Sequence, residues 1–457
     1  VEAAPEEESP VEEPAEETAP EPEMEAASPS AEATEDKPEP EPEPEVEAAP
    51  QPEPEEEAPV EEPAEEPVEE PAAEAAPEAE AAPPSAEAAE DKPEEAPAPA
   101  PAPEPEPGRV RTIWRPVRWL LRLIGLLAWA WVVAQAIAGG TSDAEIGPVI
   151  LWVYGWVGLA MVSALLGPAW AWLDPFSTIY DLIAAIMRPT GLHLPGRAPW
   201  NRRVQAWPAV AFMAFYVWLE LSGNVESGRE LGFVLLGYTL ISLVGMACYG
   251  KHRWRTHGEV FSVWFGLLGR LAPYGVLGRR RDGLVQRRPY GHALTHEPWS
   301  ASLLAVVAIG VGSVIWDGVS QTQTFYDVVG EPHRIIDSAL LLGFLGFMAA
   351  LVVGVGRKVG YVAMGAGLVP VAVGYIVAHY LTYLLVDGQR IVVAISDPFQ
   401  QGWDLFGTVR YEPTDEFLSA SVVWTMQVIA VVFGHVVGAW LGHAAVRQRR
   451  REGENVS

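Results

Sequence analysis

Between Gly374 and Arg447 the chain reads GYIVAHYLTYLLVDGQRIVVAISDPFQQGWDLFGTVRYEPTDEFLSASVVWTMQVIAVVFGHVVGAWLGHAAVR. An apolar run carries His379 and Tyr380. A polar loop follows with Asp387, Gln389, Ser396 to Phe399 and Gly402 to Gly407, and then a second apolar run carries Gln427 and His435. A bilayer core is roughly 30 Å thick and a helix rises roughly 1.5 Å per residue, so about twenty mostly apolar residues make one crossing. Both flanks of the loop meet that requirement, and the stretch reads as two membrane helices joined by a polar turn. Ionisable side chains are expensive at membrane depth and tend to be functional where they occur. Nowhere else in the chain are so many set beside membrane-length segments.

The same length test, applied outward, predicts an all-α polytopic bundle of about eight transmembrane helices. They centre on Trp119 to Ala138, Ile146 to Gly167, Trp207 to Leu221, Leu231 to Gly250, Trp299 to Trp316, Ile335 to Gly356, Val359 to Leu385 and Phe417 to Leu441. The third is short. Charge in the connections supports the count independently. Arg109 to Arg122 precede the first span, Arg188 to Arg203 separate the second from the third, and Lys251 to Arg288 follow the fourth. Arg357 and Lys358 follow the sixth, and Arg447 to Arg451 the eighth. Alternate loops are basic, which the positive-inside rule assigns to the cytoplasm together with both termini of an inner-membrane protein. Two loop segments, Phe176 to Met187 and Val260 to Leu271, place apolar residues at helical spacing and read as helices lying in the headgroup layer.

The chain has 457 residues and a formal net charge of −31, but this average joins two unlike polymers. Residues 1–108 are almost wholly Glu, Pro and Ala, with no aromatic residue and with Lys37 and Lys92 as the only cations. Such a segment cannot bury enough apolar surface to offset its ordering entropy, so a disordered acidic tail is expected there. It repeats itself imperfectly: Val11 to Glu17 recurs as Val60 to Glu66, and Pro29 to Pro38 recurs with one change as Pro84 to Pro93. From residue 109 to 447 the composition is that of an integral membrane domain, and 448–457 form a short cytoplasmic end. The acidity therefore says nothing about a substrate. Cys248 is the only cysteine, so no intrachain disulfide can form.

Under this topology Glu220, Asp317, Asp337 and His379 lie near the extracytoplasmic ends of their spans, beside the loop with Asp387, Gln389, Asp397, Trp403 and Asp404. His379 and Asp404 are the candidate catalytic residues. Asp317, Gln389, Asp397 and Trp403 are the candidate ligand-binding residues. Such a cluster can hold a divalent metal, relay protons or line a substrate vestibule; the same residues can equally serve as helix caps and loop anchors. His435 and His443, eight residues apart, are rotated by about 80° and separated by roughly 12 Å along one helix, so they cannot clamp one haem iron. His435 instead reads as bonding across to a neighbouring helix, with Gly434, Gly438 and Gly442 allowing close approach. Zinc-helix, nucleophile-elbow, phosphate-loop and dinucleotide motifs are missing. Cofactor and metal are unassigned, no nucleic-acid partner is expected, and the lipid bilayer is the partner that the composition names.

Ala378 to Tyr380, Asp387 to Gln389, Ser396 to Phe399, Gly402 to Gly407 and Gly434-His435 together resemble bacterial polytopic membrane proteins labelled fenitrothion hydrolase. Leu173 to Phe176, Arg270 to Pro273, Gly312-Ser313, Asp317 to Ser320 and Leu441 to His443 extend the likeness over roughly Arg111 to Arg447. That resemblance implies a helical membrane domain and hydrolysis of an organophosphate triester; it transfers no catalytic residue. Where the family is expected to carry Asp after the last His, this chain has Ala444. Three activities follow as expectations: a membrane hydrolase with His379 as base or metal ligand, a transporter using the same vestibule, or a non-catalytic assembly subunit with a membrane partner.

Overall fold

The computed structural model describes residues 110–112, 115–138, 146–191, 196, 198–222, 228–276, 284–330 and 333–454. The expected acidic tail, 1–108, lies outside them, as do Arg109, Arg197 and Arg279 to Arg281. Ten helices define the architecture: α1 (Arg115–Ala138), α2 (Ile146–Leu166), α3 (Pro175–Met187), α4 (Trp207–Leu221), α5 (Gly228–Tyr249), α6 (Val260–Leu268), α7 (Ala301–Ser320), α8 (Arg334–Val359), α9 (Tyr361–Val386) and α10 (Ala420–Glu454). Seven of the described helices (α1, α2, α5, α7, α8, α9 and α10) are long and apolar enough to cross a membrane. With nearly every side chain apolar on all faces, they have no stable home in water, and the protein is embedded in a bilayer.

The remaining segment expected to cross, α4, has 15 residues and spans only about 22 Å. Its ends nevertheless mark both sides of the bundle. The Ala206 N–H donates to Ser302 Oγ at 3.0 Å, beside the start of α7, and Trp218 Nε1 donates to Ser338 Oγ at 2.9 Å, beside the start of α8. The α4 helix thus runs parallel to α7 over most of its length. The last helix continues to Glu454, so residues 448–454 prolong α10 rather than forming a separate end.

Burial is centred on α7, where every residue from Leu304 to Val314 is buried. Packed against it is α6, and here the structure corrects the sequence reading. Val260, Phe261, Val263, Trp264, Phe265, Leu267 and Leu268 are all buried, so the helix lies inside the bundle and not in the headgroup layer. The reason is in its composition: apart from Ser262 and Gly266 the segment is apolar on every face, and a helix without a polar side has no place at an interface. Trp264 stacks on Trp156 of α2, with ring centroids 5.5 Å apart, and lies over Gly310 of α7, where a Cβ would stand 2.4 Å from the indole. By contrast α3 keeps Phe176 and Thr178 inside and leaves Leu182 and Ile186 outside, as a helix with one apolar face does.

At the periphery α10 lies along α9 through a seam of glycines. A Cβ at Gly438 would meet the Gly367 carbonyl oxygen at 2.3 Å, and one at Gly434 would meet that of Pro370 at 2.7 Å. The expected close approach of this helix is therefore a backbone-on-backbone contact. A small antiparallel sheet, ordered β1 (Val110–Thr112), β3 (Leu284–Arg287), β2 (Tyr274–Val276), closes the Arg-rich end, with Arg111 opposite Val285 and Gly275 opposite Gln286.

Candidate functional site

Asp317 stands one turn from the end of α7, and His379 two turns from the end of α9. Sixty-two positions apart in sequence, they meet side by side because α7 and α9 pack against each other, and His379 Nε2 lies 2.6 Å from Asp317 Oδ2. The carboxylate accepts a second hydrogen bond, 2.8 Å from Gln321 Nε2, so its position is fixed from its own helix. Side-chain exposure of 32% for His379 and 19% for Asp317 leaves the pair reachable from the end of the bundle opposite the arginines. In a neutral ring, donation from Nε2 to the carboxylate leaves Nδ1 with a lone pair. Among the described residues no hydrogen bond is made to that Nδ1. His435 and His443 differ: their Nδ1 atoms lie 2.8 Å from the Val431 carbonyl and 2.7 Å from the Ala439 carbonyl of their own helix. The expected cross-helix hydrogen bond of His435 is thus replaced by an intrahelical one, with its ring edge-on to Tyr375 of α9 at 5.9 Å.

Beneath the pair, the Tyr380 ring meets the His379 ring edge-on at 4.5 Å. Its buried hydroxyl lies within electrostatic reach of both Glu220 and Asp317. Glu220, on the last turn of α4, and Asp337, on the first turn of α8, lie toward the same end of the bundle.

The other candidate residues of the loop are held by the loop itself. Asp397 accepts from the N–H groups of Gln401 and Gly402, both at 2.8 Å. Asp404 accepts from Ser396 Oγ at 2.8 Å and from the Val409 N–H at 3.2 Å, and these donors hold its exposed carboxyl below the usual carboxylate range. Gln389 donates to the Leu385 and Thr414 carbonyls and accepts from Tyr411. Trp403 is 45% exposed, edge-on to Phe399. The structure therefore unites Asp317 with His379, and gives Gln389, Asp397 and Asp404 hydrogen bonds that close within their own segment. Pro398 anchors the loop to α1 by accepting from Trp131 Nε1 at 2.8 Å and Gln135 Nε2 at 3.0 Å.

A second polar cluster, not anticipated from the sequence, lies toward the basic end. Glu259 is fully buried and caps α6, accepting from the N–H groups of Phe261 and Ser262, from Trp170 Nε1 at 3.0 Å and from the Tyr238 hydroxyl at 2.8 Å. Asp174, also buried, caps α3 through Ser177 and pairs with Arg255 at 3.0 Å. Asp181 joins Arg122 and Lys251. Partial burial opposes its charge, but the Arg122 hydrogen bond and the Lys251 ammonium outweigh that and hold its carboxyl below the usual range. The signal available beforehand was the Asp-Pro-Phe tripeptide, which occurs at Asp174 and again at Asp397; in both places the Asp accepts backbone N–H groups just downstream.

Fold and site together define a polytopic helical membrane protein with a histidine–carboxylate pair at one mouth of its bundle. In comparisons with known proteins, the chain matches no family model, no curated protein and no solved structure. The described residues contain no group of three or more His, Cys, Asp or Glu side chains able to hold a metal ion, and the pair supplies two such donors.

Proposed function

We propose that Asp317 and His379 form a general-base dyad that activates water against a small membrane-soluble ester. The observation that carries this reading is the 2.6 Å contact of Nε2 with Asp317, which leaves Nδ1 unengaged in a partly exposed ring. In the proposed step Nδ1 takes a proton from water as the oxygen attacks, the carboxylate stabilises the imidazolium, and the ester oxygen leaves with the bonding pair. The resemblance to proteins labelled fenitrothion hydrolase supports a phosphotriester as the ester. The arginine-rich end is the cytoplasmic one under the positive-inside rule, which puts the dyad on the outer face of a bacterial inner membrane and both termini inside.

The test uses purified protein in nanodiscs with a nitrophenyl phosphotriester and follows nitrophenolate release. His379→Ala is expected to lose about 10²–10⁴-fold in turnover, the range that general-base catalysis supplies. Wild-type turnover in a folded His379→Ala protein removes the proposal. A second reading, a permease, is supported by α6, a short helix buried within the bundle, since transporters commonly build their sites from short or interrupted membrane helices. Flux into proteoliposomes without product formation favours that reading.

A further inference from the structure

Several arginines of the basic end are ion-paired. Arg122 meets Asp181, Arg255 meets Asp174, and Arg270 and Arg288 close on Glu297 at 3.1 and 2.9 Å. Arg357, in the last turn of α8, and Arg449 and Arg450, near the end of α10, have no carboxylate partner among the described residues. These three arginines line a single cavity of about 1040 Å³, together with His296, Trp299 and Tyr361.

The chain path explains why they converge. Gly360, at φ 99°, turns the chain from α8 into α9, a backbone conformation that side chains disfavour. The Arg449 guanidinium lies over that turn, with Nη1 2.7 Å from where a Cβ of residue 360 would be. The glycine seam between α9 and α10 brings the arginines of α10 to this place. Glu297 is the one carboxylate on the wall, and it is already committed to Arg270 and Arg288. Trp299 carries the Arg270 guanidinium on its face at 4.6 Å, so the aromatic wall is cationic as well. Three exposed arginines border one cavity whose single carboxylate is held by two other arginines, and their planar donor forks match the oxygens of a phosphate.

We infer that this cavity between α8, α9 and α10 binds a phosphate group, presented either by an anionic phospholipid or by a soluble phosphate. The inference is independent of the chemistry assigned to Asp317 and His379.

The experiment uses the full chain in nanodiscs and has two arms. In neutral phosphatidylcholine discs inorganic phosphate and pyrophosphate are titrated by calorimetry; in mixed discs retention of phosphatidylglycerol over phosphatidylcholine is counted by native mass spectrometry. Arg449→Gln with Arg450→Gln is compared with Arg202→Gln with Arg203→Gln, which removes the same charge from exposed positions before α4. At about a factor of five for each basic residue near an anionic surface, the first pair is expected to weaken binding roughly thirtyfold and the second to leave it unchanged. Selective loss in the soluble arm identifies a free phosphate, and selective loss in the lipid arm alone identifies a headgroup. No binding in either arm, binding unaffected by loss of Arg449 and Arg450, or equal weakening by both pairs overturns the inference.

Discussion

Replacing Gly438 by Ala tests how the two helices that bracket the polar loop are held together. The added Cβ would stand 2.3 Å from the Gly367 carbonyl oxygen, whereas an ordinary contact needs about 3.4 Å, so roughly 1 Å of separation must be found. That oxygen belongs to the backbone of α9, so no rotamer change can relieve the clash. The helices must part or bend, and neighbouring contacts across the seam loosen with them. A gap of about 0.5–1 Å forfeits a quarter to a half of each dispersion contact it opens, and overpacking of this kind costs about 1–3 kcal/mol. Gly438→Ala is therefore expected to lose about 2 kcal/mol, read as a fall of several degrees in the thermal unfolding of nanodisc-embedded protein. Gly343→Ala in α8 is the control, since a Cβ there meets open space. It gains the better helix propensity of alanine, up to about 1 kcal/mol, and should unfold at or slightly above the wild-type temperature. If Gly438→Ala unfolds with the wild type, or Gly343→Ala falls as far as Gly438→Ala, the seam is not a backbone contact and the reasoning fails.

Other consequences follow from the two polar clusters. Asp404→Asn should free the segment from Ser396 to Glu416, seen as rapid proteolysis at pH 7, because Ser396 and Val409 lose a charged acceptor. In the wild type that anchorage is present above the unfolded carboxyl value of about 4 and is lost as pH falls through the lower folded-state value, so protection should fade only in acid. Protection that weakens instead on raising the pH contradicts the assignment. Glu259→Ala leaves two N–H groups, Trp170 and Tyr238 without their acceptor, and should lower the thermal unfolding temperature markedly, since each buried donor left unsatisfied costs about 1–3 kcal/mol. Glu259→Gln, which keeps one acceptor, should lose less; equal stability of Glu259→Ala and wild type excludes a structural role for this cap.

Much of the fold is legible in the sequence because a bilayer imposes its thickness on local composition. Segments such as Ile146 to Leu166 and Ala301 to Ser320 announce themselves without any long-range information. What is not local was harder to see. Val260 to Leu271 carries helical spacing, yet almost every position is apolar, so periodicity alone cannot separate an interfacial helix from a buried one. Helical rise places Asp317 and His379 at comparable depth, but only the packing of α7 on α9 decides that they touch. For Asp397 and Asp404 the residue types allow both a ligand site and a turn anchor; the hydrogen bonds to Gln401, Gly402, Ser396 and Val409 show them anchoring turns. Glu259 carries no local signal, because its four donors come from three separate stretches of chain.

The most direct test of the central claim is the tautomer of His379, read from imidazole nitrogen shifts in protein labelled with ¹⁵N-histidine and held in nanodiscs. His379→Gln assigns the signals. The account predicts a neutral ring protonated at Nε2 and bare at Nδ1 in the wild type, with that preference lost in Asp317→Asn. A His379 spectrum that is the same in both proteins, or a wild-type ring protonated at Nδ1, would contradict it.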